Sequence, residues 1–172
     1  MSWLVRLRLG LLVVATVVLQ TTLFPDLRLF GAAPDLGLVA AIAVAYRKGP
    51  ETGAVYGFVN GLAIDLFLQT PLGLSALTFA VVAYGVGIVQ TGLSRASRWV
   101  GPLFGGVGGL AGGLMFVGLA AVVGEDQVVA LRSLQVVALA AAYDALLASP
   151  VFAVARWATA SEQPAVRTGR PA

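Results

Sequence analysis

The chain contains no cysteine and no histidine among its 172 residues. It therefore lacks disulfides, a thiolate nucleophile, a histidine general base and the usual ligand sets for zinc, haem or iron–sulfur clusters. Charge is also scarce: charged residues make up 11% of the chain, against about 25% in an ordinary soluble domain. Hydrophobic residues make up 59%, and the mean hydropathy is +0.91. Too few polar side chains remain to coat a water-exposed surface. The composition predicts a membrane protein without a cofactor or metal and excludes a soluble enzyme.

Six apolar runs follow one another and predict an all-α, polytopic membrane protein with six transmembrane helices. The runs cover about residues 9–24, 31 or 35 to 46, 53–68, 72–93, 100–123 and 129–157. The second run is the shortest, so a re-entrant or tilted segment is an alternative there. We predict one six-helix domain over residues 1–157. The remaining residues, 158–172, are polar with Pro and Gly and are expected to form a disordered cytoplasmic tail.

The basic residues test this count of spans. With six spans, nine of the eleven lysines and arginines fall on one side of the membrane: Arg6, Arg8, Arg47, Lys48, Arg95, Arg98, Arg156, Arg167 and Arg170. Only Arg28 and Arg132 fall on the other side. Because cytoplasmic loops are enriched in basic residues, this distribution predicts that both termini are cytoplasmic in a bacterial inner membrane. Basic residues scattered singly or in pairs between apolar runs do not indicate nucleic-acid binding.

Two series of glycines recur at four-residue spacing, which places each series on one face of a helix. The third span carries Gly53, Gly57 and Gly61, and the fifth carries Gly101, Gly105, Gly109 and Gly113. Glycine faces let another helix backbone approach closely. We expect both faces to pack within the bundle. The alternative is that one of them, with span five preferred, docks the transmembrane helix of a partner protein.

The polar residues that stand out within the spans are Asn60, Asp65 and Asp144, with Gln20 at the outer end of span one, and ionisable groups in a span usually face the protein interior. Asp65 lies near the outer end of span three, at a depth where a salt bridge to Arg132 is geometrically allowed. Asn60 and Asp144 lie near mid-membrane, so a protonated Asp144 could donate to Asn60. Structural contacts between helices are the favoured interpretation for all three. Proton or substrate handling is the alternative, and an enzyme or lipid flippase would need a hydrated cavity at these carboxylates.

Segment 53–65 resembles the signature region of the rod shape-determining protein MreD family. The shared pattern is a Gly-Phe-x-x-Gly-Leu-x-x-Asp helix, carried here by Gly57, Phe58, Gly61, Leu62 and Asp65, and followed by a short loop and a Leu-Gly helix start at residue 72. The resemblance implies that these five residues are structural or interaction residues and not catalytic ones. It extends over nearly the whole length, although the part from residue 100 onward carries no motif of its own.

The resemblance implies a non-catalytic component of the bacterial cell-elongation machinery, placed in the cytoplasmic membrane. Its implied partners are an MreC-like membrane protein, the MreB filament, RodA and a penicillin-binding transpeptidase. Its implied fold is similar to the substrate-binding subunits of energy-coupling-factor vitamin transporters. We expect a scaffold for rod shape and peptidoglycan synthesis that works by helix packing. The alternative function is a substrate-binding subunit of a vitamin or small-molecule transporter.

Overall fold

The structure is a computed structural model that describes residues 3–24, 31–67, 71–90, 99–124 and 131–160, without the side chains of residues 131 and 132. Within these ranges the chain forms six α-helices and no strand. The helices are α1 (Trp3–Thr22), α2 (Leu36–Lys48), α3 (Pro50–Phe67), α4 (Leu74–Val89), α5 (Val100–Val123) and α6 (Leu131–Thr159). The predicted all-helical architecture and the number of helices are confirmed. Helix α6 runs two residues beyond the predicted end of the domain, and the predicted tail from residue 161 onward lies outside the described residues.

The centre of the bundle is the shortest helix, α2. Every residue from Leu36 to Tyr46 is buried, and seven consecutive residues, Val39 to Ala45, have no exposed surface. Helix α2 contacts all five other helices. Its sequence is apolar on all sides and rich in alanine, which is the composition expected of a helix enclosed by others.

The remaining helices include two closely packed antiparallel pairs, α3 with α4 and α5 with α6. Helices α3 and α4 follow one another in the chain and pair directly as an antiparallel hairpin. Helix α1 packs against α2, α3 and α6 through one face that includes Val5, Leu9 and Leu12. The opposite face of α1 leaves large apolar side chains exposed, among them Leu7, Leu11 and Val14.

Two glycines end helices in a conformation that other residues adopt at a cost. Gly49 follows α2 with φ +92°, and Gly124 follows α5 with the same φ. Gly49 is the only residue between α2 and α3, and Pro50 begins α3, where its missing N–H costs no helical hydrogen bond. The chain therefore reverses direction at once, which keeps α3 against α2.

Three helices are long and apolar enough to cross a membrane, judged by length and composition: α1, α5 and residues Ser133–Thr159 of α6. Helix α4 is apolar but shorter. The 13 residues of α2 extend about 20 Å, less than the ~30 Å of a hydrocarbon core. The surface of the bundle carries many exposed large apolar side chains, from Trp3 on α1 to Trp157 on α6, which fits membrane insertion.

Candidate functional site

The signature glycines bring the backbones of α3 and α4 into direct contact. A Cβ built at Gly61 would lie 2.6 Å from the Cα of Ala76, and one built at Gly57 would lie 2.7 Å from the carbonyl oxygen of Phe79. Atoms in ordinary van der Waals contact stand about 3.5–4.0 Å apart. Only glycine therefore fits at these two positions while the helices keep their separation. We call this contact, formed by Gly57 and Gly61 against residues 75–80, the signature seam.

Asp65 closes one end of the signature seam by capping α4. Its carboxylate accepts hydrogen bonds from the backbone N–H groups of Gly73 (2.9 Å), Ser75 (3.2 Å) and Ala76 (3.4 Å). The side chain is 2% exposed. Amides at a helix start lack partners within the helix and carry partial positive charge, so a carboxylate is well suited to them. The predicted alternative partner, Arg132, has a side chain outside the described residues.

The other two signature residues point away from the seam. The side chains of Phe58 and Leu62 are 47% and 36% exposed, on the outer face of α3 beside Val55, Val59 and Leu66. Their exposure separates the signature into two parts. Gly57, Gly61 and Asp65 hold α3 to α4, whereas Phe58 and Leu62 face the surroundings of the bundle.

The second glycine series packs α5 against α6. A Cβ built at Gly105 would lie 2.6 Å from the Cβ of Ala148, one at Gly109 2.5 Å from Oδ2 of Asp144, and one at Gly113 2.6 Å from Val137. Gly101 faces Phe152 and Ala148 at ordinary contact distances, and the intervening Gly108 and Gly112 face Ile42 and Leu38 of α2. The favoured interpretation, packing within the bundle, agrees with these contacts. The face of α5 suggested for a partner's helix is occupied by α6.

Asn60 of α3 joins its own helix to α1 and α2. Its side chain has no exposed surface. Its amide nitrogen donates to the carbonyl oxygen of Gly37 (3.1 Å), and its carbonyl oxygen accepts from the hydroxyl of Thr16 (2.9 Å). The predicted hydrogen bond between Asn60 and Asp144 is wrong, because Asn60 faces α1 and α2 while Asp144 faces the start of α2 from α6. Nothing in the local sequence marks Thr16 as its partner.

Asp144 lies in a polar cluster at the start of α2, which we call the α2-start cluster and define as Gln20, Asp35 and Asp144. The backbone N–H of Asp35 donates to Oδ1 of Asp144 at 2.7 Å. Oε1 of Gln20 accepts from the backbone N–H of Leu36 (2.9 Å), and Nε2 of Gln20 donates to the carbonyl oxygen of Pro34 (3.1 Å). Helices α1 and α6 thus supply the partners that the first turn of α2 lacks.

The sequence analysis assigned no polar contact to Gln20 or to Asp35, and Asp35 also caps α2. Its Oδ1 accepts from the backbone N–H of Leu38 at 3.0 Å, which makes it the N-cap of α2. An aspartate directly before an apolar run is a recognised sign of a helix start, so this signal was present in the sequence.

Among the described residues, no group of three or more acidic side chains is arranged to hold a metal ion.

Comparison with known protein families gives one match. The model of the rod shape-determining protein MreD covers residues 1–124 of the 172, from α1 to the end of α5. The chain belongs to the MreD family. The signature seam, Asp65, Phe58 and Leu62 all lie within the matched part, and Asp144 lies beyond it. MreD is a bacterial membrane protein of the cell-shape machinery, and the family is a structural, shape-determining one, not a known enzyme family.

No curated protein and no solved structure matches the chain. The expected likeness to the substrate-binding subunits of vitamin transporters therefore stays a prediction, and the transporter alternative gains no support. Membership of the MreD family establishes a role in the determination of rod shape.

Proposed function

We propose that this chain is a non-catalytic scaffold that helps position peptidoglycan synthesis during cell elongation. The observation that carries the proposal is the MreD family match over residues 1–124. The described polar side chains support it. Asn60, Asp65 and Asp144 each hold a helix start or a neighbouring helix through hydrogen bonds, which are structural roles. The proposed assembly includes an MreC-like membrane protein, MreB, RodA and a penicillin-binding transpeptidase.

We propose six membrane crossings with both termini in the cytoplasm. The distribution of arginines supports this orientation. The packing of α1 on α6 supports an even number of crossings, because the guanidinium of Arg8 lies 5.3 Å from the ring centroid of Trp157 and donates to the carbonyl oxygen of Ala160 at 3.4 Å. The beginning of α1 and the end of α6 therefore lie at the same end of the bundle. Reporter fusions after Ala160 should be active in the cytoplasm, and activity in the periplasm would contradict the topology.

The contact surface for the partner follows from the two parts of the signature. Because the glycine faces are filled by α4 and α6, a partner's helix has no access to them. We propose that the transmembrane helix of the MreC-like protein packs on the outer face of α3, against Phe58 and Leu62. Both residues belong to the family signature, yet neither makes the contacts inside the bundle that explain Gly57 and Gly61.

Crosslinking tests this surface directly, because the chain contains no cysteine of its own. Single cysteines at Phe58 and Leu62 should crosslink in cells to cysteines placed along the partner's transmembrane helix. Matched controls are cysteines at Val81 on α4 and Leu110 on α5, which are 48% and 42% exposed. Equal crosslinking from all four positions, or from the controls alone, would contradict the proposed face.

A further inference from the structure

All three tryptophans of the chain lie at one end of the bundle and are exposed. Trp3 begins α1, Trp157 is in the last turn of α6, and Trp99 directly precedes α5, whose Gly101 faces Phe152 of α6. The three side chains are between 57% and 69% exposed. Tryptophan is enriched where the hydrocarbon meets the headgroups, because its ring is apolar and its N–H is polar. The three rings therefore mark the level of the headgroups, which under the proposed topology belong to the cytoplasmic leaflet.

The guanidinium of Arg8 is held at this level, at the junction of α1 and α6. It lies 5.3 Å from the ring centroid of Trp157. Among the described residues it donates one hydrogen bond, to the carbonyl oxygen of Ala160, and this bond is exposed and 3.4 Å long. A guanidinium carries five N–H donors in a planar fork that matches a phosphate. The ring of Trp157 therefore positions Arg8, while the described part of the chain uses only one of its donors.

Neither helix balances the positive charge at the α1–α6 junction. Arg156, next to Trp157 in the sequence, adds a second guanidinium, which is exposed. Helix α1 has no acidic residue, and the one carboxylate of α6, Asp144, lies about 18 Å along the helix from Arg156. The described acidic residue at this end of the bundle, Glu51, belongs to the first turn of α3. The described parts of α1 and α6 therefore present two positive charges and no negative charge at their junction.

The same junction continues into the membrane as an apolar surface. One turn deeper than Arg8, Leu11 of α1 is 54% exposed, and one turn deeper than Trp157, Val154 of α6 is 46% exposed. A phospholipid has this order of chemistry, with a charged phosphate at the headgroup level and an acyl chain below it. A soluble anion would leave the apolar part of the surface uncovered.

We infer that the α1–α6 junction binds an anionic phospholipid of the cytoplasmic leaflet. Arg8 and Arg156 bind the phosphate, and an acyl chain lies along Leu11 and Val154. Basic sites between transmembrane helices on the cytoplasmic side attract anionic headgroups, and the arginine fork can bind a phosphate through two hydrogen bonds. The choice of leaflet rests on the proposed topology, but the site does not involve α3, where the partner's helix is proposed to pack.

Native mass spectrometry of the full chain tests the choice of lipid. The protein is released from micelles that contain phosphatidylglycerol and phosphatidylcholine with the same acyl chains, so that only the headgroups differ. The wild type should retain phosphatidylglycerol in preference, and Arg8→Gln and Arg156→Gln should each lower this preference about fivefold. The matched control is Arg6→Gln, which removes the same charge from an exposed position on another side of α1. Equal retention of the two lipids by the wild type, or an equal loss of preference in Arg6→Gln, would overturn the inference.

Fluorescence in lipid nanodiscs gives a second readout. In a Trp3→Phe, Trp99→Phe background, Trp157 is the only tryptophan. Phosphatidylglycerol with brominated acyl chains should quench its emission more than brominated phosphatidylcholine, and Arg8→Gln should remove the difference. Displacement of the phosphatidylglycerol by inorganic phosphate or a polyglutamate peptide at matched ionic strength would assign the junction to a soluble anion or an acidic protein segment, and the lipid site would be wrong. Neither test involves the partner, so failure here and failure of the crosslinking experiment are distinguishable.

Discussion

Replacing Gly61 with alanine tests whether the signature seam depends on direct backbone contact. The new Cβ would lie 2.6 Å from both the Cα and the nitrogen of Ala76. To restore an ordinary contact distance between the new Cβ and Ala76, α3 and α4 would have to separate by roughly 1 Å. These neighbours are backbone atoms of a helix, so no side-chain rotation can make room.

The size of the effect follows from that separation. A gap of about 1 Å removes up to about half of the dispersion energy of each atom pair along the contact. Insertion of a methyl group into a close-packed interior typically costs about 1–3 kcal/mol, and we expect the upper part of this range. The displacement also lengthens the hydrogen bonds from Ser75 and Ala76 to Asp65, which are already 3.2 and 3.4 Å long.

The matched control is Gly85→Ala, the same substitution on the partner helix α4. No atom lies within 4 Å of a Cβ built at Gly85, so the change adds a methyl group to open space. The two variants gain the same intrinsic helix propensity, about 1 kcal/mol, and the difference between them isolates the steric term. Reversible unfolding of the purified protein in mixed micelles measures this difference. Equal free energies of unfolding for the two variants would refute the packing argument.

Three further predictions use the same measurement. Asp65→Asn should lower the free energy of unfolding by about 1.5–3 kcal/mol, since asparagine offers one acceptor oxygen to the start of α4; no change would contradict the capping role. Gly109→Ala should lower the free energy of unfolding by about 1–3 kcal/mol, because the added methyl group would collide with Asp144. Gly118→Ala on the same helix is the control and should not destabilise the protein, because a Cβ built there has no neighbouring atom within 4 Å. Equal effects of the two substitutions would contradict the α5–α6 contact. Arg8→Ala should lower the free energy of unfolding by about 0.5–1 kcal/mol, because the contact with Trp157 is lost. The control Arg6→Ala changes an exposed residue and should leave the free energy of unfolding nearly unchanged.

The helix pairs could be predicted from the sequence because glycine spacing reports close approach. Gly57 and Gly61 predicted a close helix contact on one face of α3, and the structure shows that α4 makes this contact. The same logic applied to the fifth span, although spacing alone did not show that α6 would fill that face. Helix number followed from the apolar runs, and helix boundaries differed by up to six residues, as at Trp3 in α1.

The partners of the polar residues could not be predicted in the same way. In a membrane the outside of a bundle is as apolar as its core, so hydropathy does not reveal which face of a helix is buried. Asn60 and Asp144 were placed at similar depth, but their rotation about the helix axes points them to Thr16 and Asp35. For Asp65 the sequence only allowed a salt bridge to Arg132, whereas in the structure its carboxylate accepts hydrogen bonds from backbone amides of α4, which no pattern of side chains predicts.

The brevity of α2 has a consequence for how the protein is made. Helix α2 has only 13 residues and is preceded by an aspartate, Asp35. It is therefore a weak signal for membrane insertion, since a transmembrane span needs about 20 apolar residues. We expect α2 to enter the bilayer joined to α3 through Gly49, as a pair. It reaches its final place only when the later helices have been synthesised and can surround it. The centre of this molecule is then the last part of it to be completed.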